Sequence, residues 1–188
     1  MLAKFSRYLV AAVAVLIAVC SLWVNRGTSQ ANKHVDEANT ASEAGDALTG
    51  QIGPKYSELF SEANLQGFPG NRDQYKANAT ETADLLVKAA AQYRLAADKL
   101  EEAGRQPVKK PLADYWGAKV QAYRKLADSK EAFGNLVGLL LDESIQDMDA
   151  LNEKVGPLVD KALALNEESD KFTAEAKKIQ DEHKDMFK

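Results

Sequence analysis

The sequence predicts an all-α protein in which a single N-terminal transmembrane helix leads into an up-down-up-down bundle of four long helices. Three observations carry that prediction. A 17-residue run without a charge, Tyr8 to Val24, stands near the start of the 188-residue chain. Beyond it, apolar residues recur every three or four positions over long stretches, the period of one helix face. Two short segments are rich in glycine and proline, while Ala, Leu, Lys, Glu and Asp abound, a composition common in helical bundles.

The apolar run comes first. As a helix it is about 26 Å long, slightly short of a hydrocarbon core of about 30 Å. Lys4, Arg7 and Arg26 can snorkel to make up the difference, and Tyr8 and Trp23 stand where interfacial aromatics belong. Lys4, Arg7 and the terminal amine outweigh Arg26, so residues 1–7 are expected in the cytoplasm, 8–25 across the membrane and 26–188 outside it, periplasmic or extracellular. Cleavage after Ala31, in Ser29-Gln30-Ala31, and lipidation at Cys20, in "IAVC", are alternatives with the same export. The core of a signal peptide is about 7–15 residues, which favours the uncleaved anchor. Val19 stands where a lipidation site needs a smaller residue, so Cys20 reads as a packing or lipid-facing residue.

Charge narrows the partners. The formal net charge is −4, and the first 26 residues hold three basic groups and no acid, leaving residues 27–188 at −7. Such a domain lacks the basic patch that nucleic acid requires. The single cysteine excludes an intramolecular disulfide.

In the exported part, "LQGFPGN" (Leu65–Asn71) and "GRQPVKKP" (Gly104–Pro111) read as loops. Between them Tyr75, Ala79, Thr82, Leu86, Ala89, Tyr93, Ala96 and Leu100 line one face of a helix over 72–103. A second stripe runs from Trp116 through Val120, Tyr123, Ala127, Phe133, Val137 and Leu140 to Val155. Its most apolar part, "NLVGLLLDESI", is the expected centre of the core, with Gly134 and Gly138 admitting a close neighbour.

Two Gly-Pro pairs, Gly53-Pro54 and Gly156-Pro157, interrupt otherwise helical sequence. Proline removes a backbone bond and crowds the carbonyl four residues back, so each pair permits a kink or a turn. The apolar phase runs through both pairs, and segment length decides between them. A turn at Pro157 and a kink at Pro54 divide the domain into helices over 29–65, 72–103, 112–155 and 157–187, about 37, 32, 44 and 31 residues. Pro54 then becomes a lever between anchor and bundle.

Residues 83–98 and 113–128 share six of sixteen positions at an offset of 30: Ala-Asp at the start, Tyr-Arg in the centre, Ala and Asp at the end. A duplicated hairpin would produce this, as would chance in alanine-rich helix. Arg94 with Asp98, and Arg124 with Asp128, have the spacing of ion pairs within a helix.

Chemistry-bearing motifs are scarce. His34 and His183 lie far apart and match no zinc spacing, and no metal site, cofactor or catalytic residue is expected. The acidic stretch with Asp142, Glu143, Asp147, Asp149 and Glu153 reads as a solvated helix face. Asn78-Ala79-Thr80 fits the acceptor pattern for N-glycosylation but falls within a helix. Tyr93, Arg94, Trp116, Tyr123 and Arg124 could line a site between the second and third helices of the bundle, aromatics giving apolar contact and arginine gripping a carboxylate.

The plan of one anchor and an exported four-helix bundle is similar to the sensory halves of bacterial chemoreceptors, in architecture alone. It departs from them in leaving about seven residues in the cytoplasm. The expectation is therefore a membrane-tethered, non-enzymatic protein acting through a protein partner or self-association. A tethered module for a small anionic ligand is the alternative.

Overall fold

A computed structural model describes residues 28–187, which are helical apart from their turns and include no strand. The elements are α1 (Leu2–Leu59, described from Thr28), the short α2 (Glu62–Gln66), α3 (Arg72–Gly104), α4 (Lys110–Leu141) and α5 (Met148–Glu182), followed by a 3-10 turn, Lys184–Met186. The expected membrane span and Cys20 lie outside the described residues. Among those described, no helix is long and apolar enough to cross a membrane.

The four long helices pack together in chain order, α1 on α3, α3 on α4 and α4 on α5. Cross-helix pairs set their directions. Lys55 meets Glu81 while His34 meets Glu102, so α3 runs back along α1. Arg94 meets Asp128 while Arg124 meets Glu101, so α4 reverses α3. Ser129 donates to the Ala162 carbonyl while Lys125 meets Glu168, so α5 reverses α4. Thr28, the 107–112 connection and Asp185 consequently line one groove at a common end. Among the described residues α1 and α5 share no extended packed face, and the array is open along that side.

Every residue of the stripe from Tyr75 to Leu100 is buried on α3, the central helix. A large cluster around Leu59, Leu86, Tyr93, Val137, Leu140, Ile145 and Leu151 fills one half of the domain. A smaller cluster around Ala31, Ala38, Leu100, Trp116 and Val120 fills the half nearer Thr28. Leu136, Val137, Leu140 and Ile145 are each at most 2% exposed, so the most apolar stretch of sequence does lie in the core. The α4–α5 contact differs in kind. Apart from Leu151, α5 buries only Ala162, Ser169 and Ala176, two turns apart from one to the next. Facing them, α4 buries Ala118, Ala122, Ser129 and Ala132. Small residues on both sides bring two helices close without interlocking large side chains.

The chain reverses before Pro157, not at it. The turn is the acidic stretch itself, between Leu141 and Met148, and Gly156 and Pro157 lie exposed inside α5. Three polar devices hold the turn. The Asp142 carboxylate accepts from the Ser144 N–H at 2.9 Å, and Asp147 caps α5 by accepting from the Ala150 N–H at 2.8 Å. Arg72 donates to the carbonyls of Leu140, in the last turn of α4, and of Asp142 and Ile145, in the connection that follows, at 3.0, 3.1 and 2.8 Å. The helices expected over 112–155 and 157–187 are therefore 110–141 and 148–182, nearly equal to α3 in length. Proline is tolerated in α5 because the pair faces water, which can serve the Glu153 carbonyl.

Pro54 lies within α1, but that helix stops at Leu59, and Ser61 caps α2 as a separate turn. Gly138 is exposed and a methyl there would meet no packing neighbour within 4 Å, and a methyl on Gly134 would meet Leu86 only at 3.8 Å. The close approach is at Gly45 on α1, where a methyl would stand 2.9 Å from the Tyr93 ring.

Candidate functional site

Helix α3 lies between α1 and α4, so side chains from all three meet around Tyr93. Its ring is 2% exposed and stacks on Tyr123 of α4 at 6.2 Å between centroids and 16° between planes. Its hydroxyl donates to Asp46 Oδ1 at 2.7 Å and lies 3.2 Å from the Thr49 hydroxyl. Burial, with the Asp46 carboxylate alongside, raises the Tyr93 phenol well above its ordinary value. Lys119 lies over the outer face of Tyr123, 4.8 Å from the ring centre.

The two arginines flank this stack without entering it. Arg94 donates to Glu131 and, at 3.1 Å, to Asp128, both on α4. Arg124 donates to Glu101 on α3 at 2.7 Å and stands 3.7 Å from Asp98. The pairs expected within each helix are replaced by pairs between helices. Asp98 and Glu101, the partners of Arg124, stand 30 positions before Asp128 and Glu131, the partners of Arg94, just as Arg94 stands 30 before Arg124 and Tyr93 stands 30 before Tyr123. The hairpin of α3 and α4 is thus related to itself by an approximate twofold axis through the tyrosine pair. Hydrogen bonds from the arginines hold the Glu131 and Glu101 carboxyls below the usual carboxylate range, and Arg94 is raised in turn, chiefly by Glu131.

Of the five residues expected to line a ligand site, Tyr93 and Tyr123 come together, while Arg94 and Arg124 are half-exposed and already paired. Trp116 packs in the cluster nearer Thr28, among Ala31, Leu100 and Val120. Tyr123 packs against that cluster as well.

A groove of about 310 Å³ opens instead over Leu86, between α1 and α4, lined by Thr49, Ile52, Tyr56, Ser57, Lys130 and Phe133. Gly53, beside Pro54, forms part of its wall. Tyr56 and Phe133 meet edge to face at 5.6 Å, and burial pushes the Tyr56 phenol up to about 12. Among the described residues no carboxylate lies within 4 Å of the Lys130 ammonium. Burial lowers its pKa, opposed by the more distant Asp46. Sequence reasoning overlooked Lys130, although a signal was present. The α4 stripe jumps from Ala127 to Phe133, and Lys130 fills the missing step.

The remaining sequence candidates play local roles. Asn78 sits on α3, where its carbonyl accepts from Thr82 at 2.7 Å. His183 caps the end of α5, and His34 lies beside Glu37 one turn on in α1 and faces Glu102 across the α1–α3 contact. No family model, curated protein or solved structure matches the chain.

Proposed function

We propose that this protein is a membrane-anchored, non-enzymatic helical protein that works through protein–protein contacts outside the cytoplasm, as a scaffold or envelope-associated element. One observation carries this reading: the open side of the helical array. Helix α5 packs on α4 through mostly small residues. It leaves Leu163 50% exposed and Val155, Leu158, Leu165, Phe172 and Ile179 only partly covered. Larger apolar side chains flanking a small-residue seam suit an added partner helix, from another protein or from a second copy. The anchor rests on the charge-free run Tyr8–Val24 and its flanking cations.

A photo-crosslinking residue at Leu163 of the full chain, in its own membrane, tests the contact. A discrete adduct at Leu163, absent when the probe is moved to exposed Gln121 on α4, is expected. No adduct, or equal yields at both positions, would overturn the reading. A reporter fused after Lys188 should be active outside the cytoplasm.

A second reading, binding of a small anionic ligand, is favoured by the Lys130 ammonium at the apolar groove, which has no carboxylate within 4 Å among the described residues. On this reading benzoate raises the melting temperature, and Lys130→Met abolishes the rise while Arg94→Ala does not.

A further inference from the structure

We propose that His34, Glu37 and Glu102 form a binding site for a first-row divalent transition metal, and that the Lys99 ammonium is the built-in cation that competes for it.

The donors come from two helices. His34 and Glu37 stand one turn apart on α1, and Glu102 faces them from α3. Nδ1 of His34 lies 3.0 Å from Glu102 Oε2 and 3.7 Å from Glu37 Oε2, and donor atoms of all three residues fall within 4.8 Å of one another. Two ligands each about 2.1 Å from one metal ion are about 3.0 Å apart at a right angle and about 3.4 Å apart at a tetrahedral angle. The His34–Glu102 separation already suits a shared ion, and Glu37 would have to move closer to join it.

An independent observation concerns the imidazole. His34 Nδ1 is shut from solvent and makes no hydrogen bond, its approach to Glu102 being wrongly directed for one. A buried nitrogen without a partner is costly, and a metal ion between it and the two carboxylates would supply one.

Lys99 marks the cation position. Its ammonium lies 3.1 Å from Glu37 Oε2 and 3.0 Å from Glu102 Oε2, the same two oxygens that approach His34. The protonated amine balances the charge of the two acids, while Nδ1 accepts no hydrogen bond from it. Displacement of Lys99 is sterically open. A groove of about 320 Å³, lined by Thr40, Ala41, Ala44 and Leu95, adjoins Glu37 and Lys99 and admits the water that would complete the coordination. One imidazole with two carboxylates suits zinc, cobalt, nickel or manganese ions better than calcium, which prefers an all-oxygen shell. The site is independent of whether α5 has a partner.

The test titrates the full chain, in detergent, with Zn2+ against a chromophoric chelator, and with Co2+ followed by visible absorption. One equivalent of each ion should bind. His34→Ala and Glu102→Gln should each weaken Zn2+ binding by about tenfold or more, and Lys99→Met should tighten it by a similar factor with helical content unchanged. Absence of stoichiometric binding to Lys99→Met, or binding that survives His34→Ala undiminished, overturns the site. Equal affinity of the wild type and Lys99→Met overturns the competition.

Discussion

Tyr93 and Tyr123 stack face to face across the α3–α4 contact, and each is followed by an arginine that reaches over to the other's helix. Arg94 pairs with Asp128 and Glu131, Arg124 with Asp98 and Glu101. Every member of one set has its counterpart 30 positions away in the other. An antiparallel hairpin made from two like segments produces this arrangement. Neither segment pairs its arginine internally, because the facing helix offers two acids at once.

These ion pairs are half-exposed, so each contributes little. Arg94→Ala should lower stability by about 0.5 kcal/mol or less, as exposed pairs do. Its pH dependence is more telling. Glu131 has a lowered pKa in the folded protein, so its contribution is complete above the unfolded carboxylate value near 4.5 and disappears as pH falls through the folded value. Urea unfolding of wild type and Arg94→Ala should differ at pH 7 and converge in acid.

Tyr93 joins three helices and is more sensitive. Tyr93→Phe removes the hydrogen bond to Asp46 and should cost about 1–2 kcal/mol by urea unfolding. Gly45→Ala forces a methyl against the same ring and should cost about 1–3 kcal/mol, despite alanine's higher helix propensity. Combining Gly45→Ala with Tyr93→Leu should restore part of that loss.

Arg72 supports the α4–α5 turn through three carbonyls. Arg72→Met should cost about 2–3 kcal/mol and speed amide exchange in residues 142–147. Lysine should not rescue it, since a single ammonium cannot reproduce the directed N–H groups of a guanidinium. Asp147→Ala, which removes only the cap, should cost about 1 kcal/mol.

Position 157 gives the most direct check of the revised topology. Within an exposed helix, Pro157→Ala should stabilise by about 1–3 kcal/mol and Gly156→Ala by up to about 1 kcal/mol. Both gains should appear as higher melting temperatures. A turn at this point would make both changes neutral or harmful.

Much of the architecture could be read without coordinates. The stripe from Tyr75 to Leu100 is the buried face of α3 because periodicity reports burial directly, and the loops at Leu65–Asn71 and Gly104–Pro111 carry breakers strong enough to be seen. The α4–α5 turn escaped because it holds neither glycine nor proline. Asp142, Asp147 and the distant Arg72 make it, and apolar phase continues through it. Pro157 attracted the turn because a proline looks the same in sequence whether its missing bond faces protein or water.

The sequence by itself determined the helical class, the outward-facing charge and the buried stripe, since these depend on side-chain period and composition. Only the tertiary structure decided the sites. Which acids Arg94 and Arg124 meet, which glycine a tyrosine presses against, and that His34 and Glu37 face Glu102 all depend on register between helices. Register follows from packing residues far apart in the chain, and no local pattern encodes it.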